Sequence, residues 1–128
     1  MASKGKHPFQ IRRLSQSFRY AIEGLRKAAA SEKNFQLHLI AAVAAVTLGF
    51  LFHIDVLEWM FILLCIFGMF ALELLNSAIE KTVDLVTSEY RPLAKKAKDF
   101  AAAAVLVYAI MTVLIGILIF VPKIAKWL

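Results

Sequence analysis

The sequence predicts an all-α membrane protein, an N-terminal amphipathic surface helix followed by three transmembrane helices. Three observations carry that expectation. Apolar residues make up 61% of the chain and mean hydropathy is +0.72, whereas soluble domains run at about 45–50% apolar. Three long apolar runs recur along the 128 residues, each near the length needed to cross a bilayer. The basic residues gather at the ends of those runs rather than among them, as they do in membrane proteins of fixed topology.

The elements follow in order. Residues 1–8 are small, basic and end in Pro8, and are expected to be disordered. From 9 to 30 a helical period places Ile11, Leu14, Phe18, Ile22 and Leu25 on one face. Arg12, Arg13, Arg19, Arg26 and Lys27 fall on the other. A basic amphipathic helix of this kind is suited to the membrane surface or to packing on its own bundle. The first transmembrane helix is expected over 34–52. It has no charge, and Ala41, Ala42, Ala44, Ala45 and Gly49 leave it small-sided, which allows close helix approach in lipid.

His53, Ile54 and Asp55 form a turn. The second transmembrane helix is expected over 56–86. It is apolar through Leu72 and keeps helical propensity beyond. At about 1.5 Å per residue it exceeds the bilayer core, so its second half should project from the lipid. The pattern breaks from Thr87, and Pro92 is suited to start the next helix. The third transmembrane helix is expected over 96–121, with Phe100 to Val121 free of charge and Pro122 and Lys123 ending it. All of 1–128 reads as one membrane domain, without internal repeat or low-complexity tract.

The net charge is +6. Because the basic groups flank apolar spans, topology explains them better than nucleic-acid binding, and no nucleic-acid partner is expected. They place the N-terminal segment and the 81–98 region in the cytoplasm, hence the 53–55 turn and the C-terminus outside. A cleaved signal peptide is not expected, since the apolar run begins only at Phe35. The single cysteine, Cys65, lies in an apolar run and rules out an intrachain disulfide.

The chemistry concentrates in the stretch from Glu73 to Asp84. At about 100° per residue, Glu73, Asn76, Glu80 and Asp84 share a stripe about 80° wide, which Ser77 joins. A carboxylate at the depth of Glu73 costs several kcal/mol unless paired or wet, so it is functional or inter-helical by default. A polar packing seam would mix signs, and this line carries three acids and no base. Hard oxygen ligands suit Mg²⁺ bound together with phosphate oxygens, and the deeper carboxylate is placed to act as a base. A metal–phosphate site near the cytoplasmic interface follows, suited to a lipid hydroxyl meeting a water-soluble phosphate donor. No P-loop, dinucleotide fingerprint or protein-kinase catalytic loop is present, so nucleotide use does not follow from motif grammar.

The residues E-L-L-N-S-A-I-E-K-x-V-D-L at 73–85, S-E-Y at 88–90 and A-K-D at 97–99 resemble the signature of the small bacterial integral-membrane diacylglycerol kinase family, from Arg13 to the third span. The resemblance implies a homotrimer of three-helix subunits, each with an N-terminal surface helix, in the cell membrane. It also implies transfer of the γ-phosphate of Mg-ATP to a lipid hydroxyl. Residue by residue, Glu73 matches the catalytic base and Asn76 an active-site polar group. Glu80 and Glu32 match the Mg²⁺ carboxylates. Arg13 and Tyr20 match nucleotide contacts on the surface helix, Glu89, Tyr90 and Arg91 match the loop touching the nucleotide, and Lys98 with Asp99 closes the site. The stretches at 31–40, 84–86, 91–95 and 119–124 resemble the branch, found mainly in Gram-positive bacteria, that phosphorylates undecaprenol rather than diacylglycerol.

Two other classes compete. A proton-conducting transporter would use Glu73 as a relay, but its path needs polar groups across the whole membrane, and the acids cluster at one end. A non-enzymatic helical bundle would use the stripe as a packing seam and would need no Mg-ATP.

Overall fold

A computed structural model describes residues 7–128. It contains four helices: α1 (His7–Ser31), α2 (Lys33–Leu51), α3 (Val56–Val86) and α4 (Pro92–Trp127). The stretch expected to be disordered lies outside the described residues for 1–6, and α1 begins at His7, with Pro8 in the first turn, where its missing N–H costs nothing. The helices α2, α3 and α4 are each long and apolar enough to cross a membrane. Packing is most extensive between α3 and α4, then between α2 and α3, and α1 touches α2.

One extended residue, Glu32 (φ −91°, ψ 108°), separates α1 from α2. The backbone bonding runs on through the bend, because the Glu32 N–H donates to Ala28 O and the Gln36 N–H to Glu32 O. Gln36 Nε2 also donates to Ala29 O at 3.0 Å. The bend is therefore held from both sides, and it aims the Glu32 side chain at α3.

The α2–α3 turn is tight. His53 adopts a left-handed conformation (φ 49°), which histidine tolerates better than bulky or branched residues. Asp55 then caps α3 in a reciprocal box with Glu58: the Glu58 N–H donates to Asp55 Oδ1 and the Asp55 N–H to Glu58 Oε2, both at 2.9 Å. At this end Ile54, Ile62, Ile119 and Phe120 form the core. Two glycines admit aromatic rings between helices. A Cβ on Gly49 would lie 2.7 Å from the Trp59 ring, and one on Gly68 would overlap the Tyr108 hydroxyl. Tyr108 thereby crosses to α3 and donates to Leu64 O at 2.6 Å.

The expected end at Pro122 is corrected: α4 continues through Pro122 to Trp127. Proline removes one backbone N–H, a loss that membrane helices absorb locally. Two contacts hold the extra turn. Lys123 Nζ donates to Glu58 Oε1 at 2.7 Å, and Trp127 meets Phe52 edge-on at 5.3 Å.

Candidate functional site

The buried residues of α3 are Ile62, Cys65, Met69, Glu73 and Asn76. Steps of three and four residues make them one helical stripe. Its first three members are apolar, and the last two continue the same line as an acid and an amide. The face that seats the helix in the bundle is thus the face that carries the buried acid and amide.

Glu73 is 2% exposed, and its Oε2 has no donor. Asn76 is buried one turn on. Its Nδ2 reaches Glu80 Oε1 at 3.5 Å, while its Oδ1 has no partner. Two unpartnered oxygens on successive turns cost roughly 1–3 kcal/mol each, a cost that folding alone gives no reason to keep. Both residues open on a cleft of about 290 Å³, lined also by Glu32, Lys33, Ser77 and Glu80. Glu32, Glu73, Asn76 and Glu80 are therefore brought together, with Glu73 deep and Glu80 exposed. Glu32 reaches α3 itself, where Lys81 Nζ donates to its Oε1 at 2.5 Å. Among the described residues no group of three or more His, Cys, Asp or Glu side chains gathers as a metal cage. Two hard carboxylates facing a cleft fit a divalent cation whose other ligands are phosphate oxygens and water.

A second cleft, of about 330 Å³, lies at the α3–α4 connection and is lined by Glu89, Tyr90, Arg91 and Lys98, with Asp84 and Lys95. Here the Glu89 N–H donates to Thr87 Oγ1, and Arg91 pairs with Glu89 at 3.6 Å. Four of the expected nucleotide contacts thus share one space.

Lys98 and Asp99 take different partners: Lys98 Nζ binds Asp84 Oδ1 at 2.6 Å, and Asp99 takes Lys95 at 2.5 Å. Consecutive helical residues do not face each other, whereas residues four apart do. Asp84, one turn beyond Glu80 on the same helical line, faces the second cleft rather than the first. No base lies on the acidic stripe itself, but Lys81 and Lys98 reach Glu32 and Asp84 from positions off it. Arg13 and Tyr20 are exposed on α1 and line neither cleft within one chain.

The sequence reading passed over His38. It lies on α2 with Nε2 3.9 Å from Glu73 Oε2. The available signal was a titratable ring early in a largely apolar span.

Three membrane-length helices with an acid-lined cleft along one of them place the chain among integral membrane proteins with a polar reaction site. The model of the family described as prokaryotic diacylglycerol kinase matches residues 19–120. The chain is 51% identical over 117 residues to the undecaprenol kinase of Bacillus subtilis (strain 168), covering 91% of this chain and 95% of that one. It is 41% identical over 107 residues to a diacylglycerol kinase of Synechocystis, covering 83% of this chain and 61% of the relative. With a diacylglycerol kinase of Helicobacter pylori (strain J99) it shares 40% over 97 residues, 76% of each. The chain belongs to the prokaryotic diacylglycerol kinase family, and is a membrane-bound lipid kinase that uses a nucleotide phosphate donor.

Proposed function

We propose that the chain transfers the γ-phosphate of Mg-ATP to the hydroxyl of undecaprenol, giving undecaprenyl phosphate. The observation that carries this is its 51% identity, over nearly the full length of both chains, to the undecaprenol kinase of Bacillus subtilis. The polar cleft supports the chemistry. Glu73 Oε2, buried and without a donor, is free to accept the hydroxyl proton as the oxygen attacks phosphorus. Asn76 stands beside it and orients Glu80. Glu32 and Glu80 would hold Mg²⁺, which offsets the charge of the transferred phosphoryl group when bound. Lys81 fixes the Glu32 carboxylate in that position. Glu89, Tyr90, Arg91 and Lys98 would contact the nucleotide from the second cleft, with Asp99 holding Lys95 at its edge.

The single chain keeps Arg13 and Tyr20 away from both clefts, and many large apolar side chains are exposed along its spans. Both observations support a homotrimer in the cell membrane, in which α1 lies on the cytoplasmic surface, the C-terminus is outside, and Arg13 and Tyr20 reach the nucleotide of a shared site. If Arg13 reaches the nucleotide at a neighbouring subunit's site, mixing weakened Arg13→Ala chains with inactive Glu73→Gln chains restores activity. Active monomers in detergent contradict the trimer.

The direct test offers purified protein Mg-ATP with undecaprenol and diacylglycerol side by side. Faster turnover of undecaprenol is expected. Preference for diacylglycerol would assign the chain the activity named for its relatives in Synechocystis and Helicobacter pylori.

A further inference from the structure

Glu73 and His38 face each other across the α2–α3 contact but open on different spaces. Glu73 lines the polar cleft. His38 lines a slot of about 110 Å³ between α2, α3 and α4, walled by Ala41, Ala45, Met69, Thr112 and neighbours, with no other titratable side chain there except Cys65. The gap from Nε2 to Oε2, 3.9 Å, is too long for a hydrogen bond. An oxygen atom off their line, about 2.8 Å from each, would bond to both. Glu73 Oε2 has no donor from the protein, so one bonding direction there is unfilled.

We propose that the acceptor hydroxyl binds between Glu73 Oε2 and His38 Nε2, with the first part of its apolar chain in the alanine-walled slot, and that His38 is a second catalytic residue. This rests on the kinase reading and on Glu73 as base, and assigns the lipid side of the same site. The imidazole, with a proton on Nε2, donates to the hydroxyl oxygen, which in turn donates to Glu73. As reaction proceeds the O–H bond breaks and its proton passes to Glu73. The oxygen forms the new bond to the γ-phosphorus, and the bond from that phosphorus to the bridging oxygen breaks, its electron pair leaving with ADP. Throughout, the Nε2–H remains aimed at the oxygen that is gaining charge, where a preoriented donor lowers the barrier. The acceptor class is a simple alcohol on an apolar chain. The slot's lining matches such a chain, being apolar apart from His38 and Thr112.

The test pairs His38→Leu with His38→Gln. Leucine keeps an apolar filling in the span and removes the donor, whereas glutamine returns an amide N–H close to the Nε2 position. Undecaprenol phosphorylation, KM for ATP and Tm are measured on each. For His38→Leu, kcat should fall on the order of 10²-fold with KM for ATP and Tm unchanged, and His38→Gln should recover about tenfold of that loss. Wild-type turnover in His38→Leu overturns the inference, as does an equal loss in both variants with lowered Tm, which marks a packing contact. A wild-type chain inactive on every lipid alcohol overturns the kinase reading and this inference with it. Wild-type activity that His38→Leu leaves untouched overturns this inference alone.

Discussion

Two glutamates on α3 meet opposite fates. Glu58, near the start of the helix, has both carboxylate oxygens engaged. Oε2 accepts the Asp55 N–H at 2.9 Å and Oε1 the Lys123 ammonium at 2.7 Å. Glu73, fifteen residues and about 22 Å further along, is more deeply buried, and its Oε2 has no donor. One acid is spent on structure, closing a helix cap and fastening the end of α4. The other is withheld from structure and left facing a cleft. Burial alone does not separate a structural from a reactive carboxylate in a membrane helix; the count of donors around it does.

Glu73 itself apart, the largest effect expected on the reactive side is from Glu80→Gln. It preserves shape and removes one of the two cleft carboxylates assigned to the cation. Turnover should drop on the order of 10²–10³-fold, with folding intact by Tm. Near-normal turnover at ordinary Mg²⁺ removes Glu80 from the site. Next is Lys98→Met, which empties the second cleft of the cation that pairs with Asp84. The expected result is a KM for ATP raised roughly tenfold with kcat little changed, and an unaltered KM takes the nucleotide out of that cleft.

The structural side should respond in stability instead. Gly68→Ala drives a methyl group into the Tyr108 hydroxyl. It should cost about 1–3 kcal/mol, read as a lower Tm in detergent, while the folded fraction keeps its turnover. The smallest effect is expected at Glu58→Gln. Loss of the Lys123 ion pair and part of the cap should cost about 1 kcal/mol, and turnover should stay within about twofold because the site is distant. A Glu58→Gln enzyme that folds but does not turn over would erase the contrast between the two acids.

Much of this was legible in the residues. Long apolar runs give three membrane-length helices, and a single period of 3.6 residues puts Glu73, Asn76 and Glu80 in one line. Those features depend on one helix at a time. What the sequence withheld depends on how helices meet. That Lys81 reaches from α3 to Glu32 at the α1–α2 bend, that Lys98 takes Asp84 rather than Asp99, and that His38 stands against Glu73 are facts of helix crossing and side-chain reach. Pro122 misled for a similar reason. Its local rule ends helices, but the Lys123–Glu58 and Trp127–Phe52 contacts from elsewhere in the chain carry α4 past it.

The contrast between the two glutamates comes down to whether Glu73 is the base. Glu73→Gln, assayed for undecaprenol phosphorylation and for Mg-ATP binding on the same preparation, measures this most directly. Phosphorylation should fall by about 10²–10⁴-fold while Mg-ATP binding stays near that of the wild type, since Glu32 and Glu80 remain in the cleft. Loss of both together would give Glu73 a structural or metal-binding role, and preserved phosphorylation would contradict its assignment as the base.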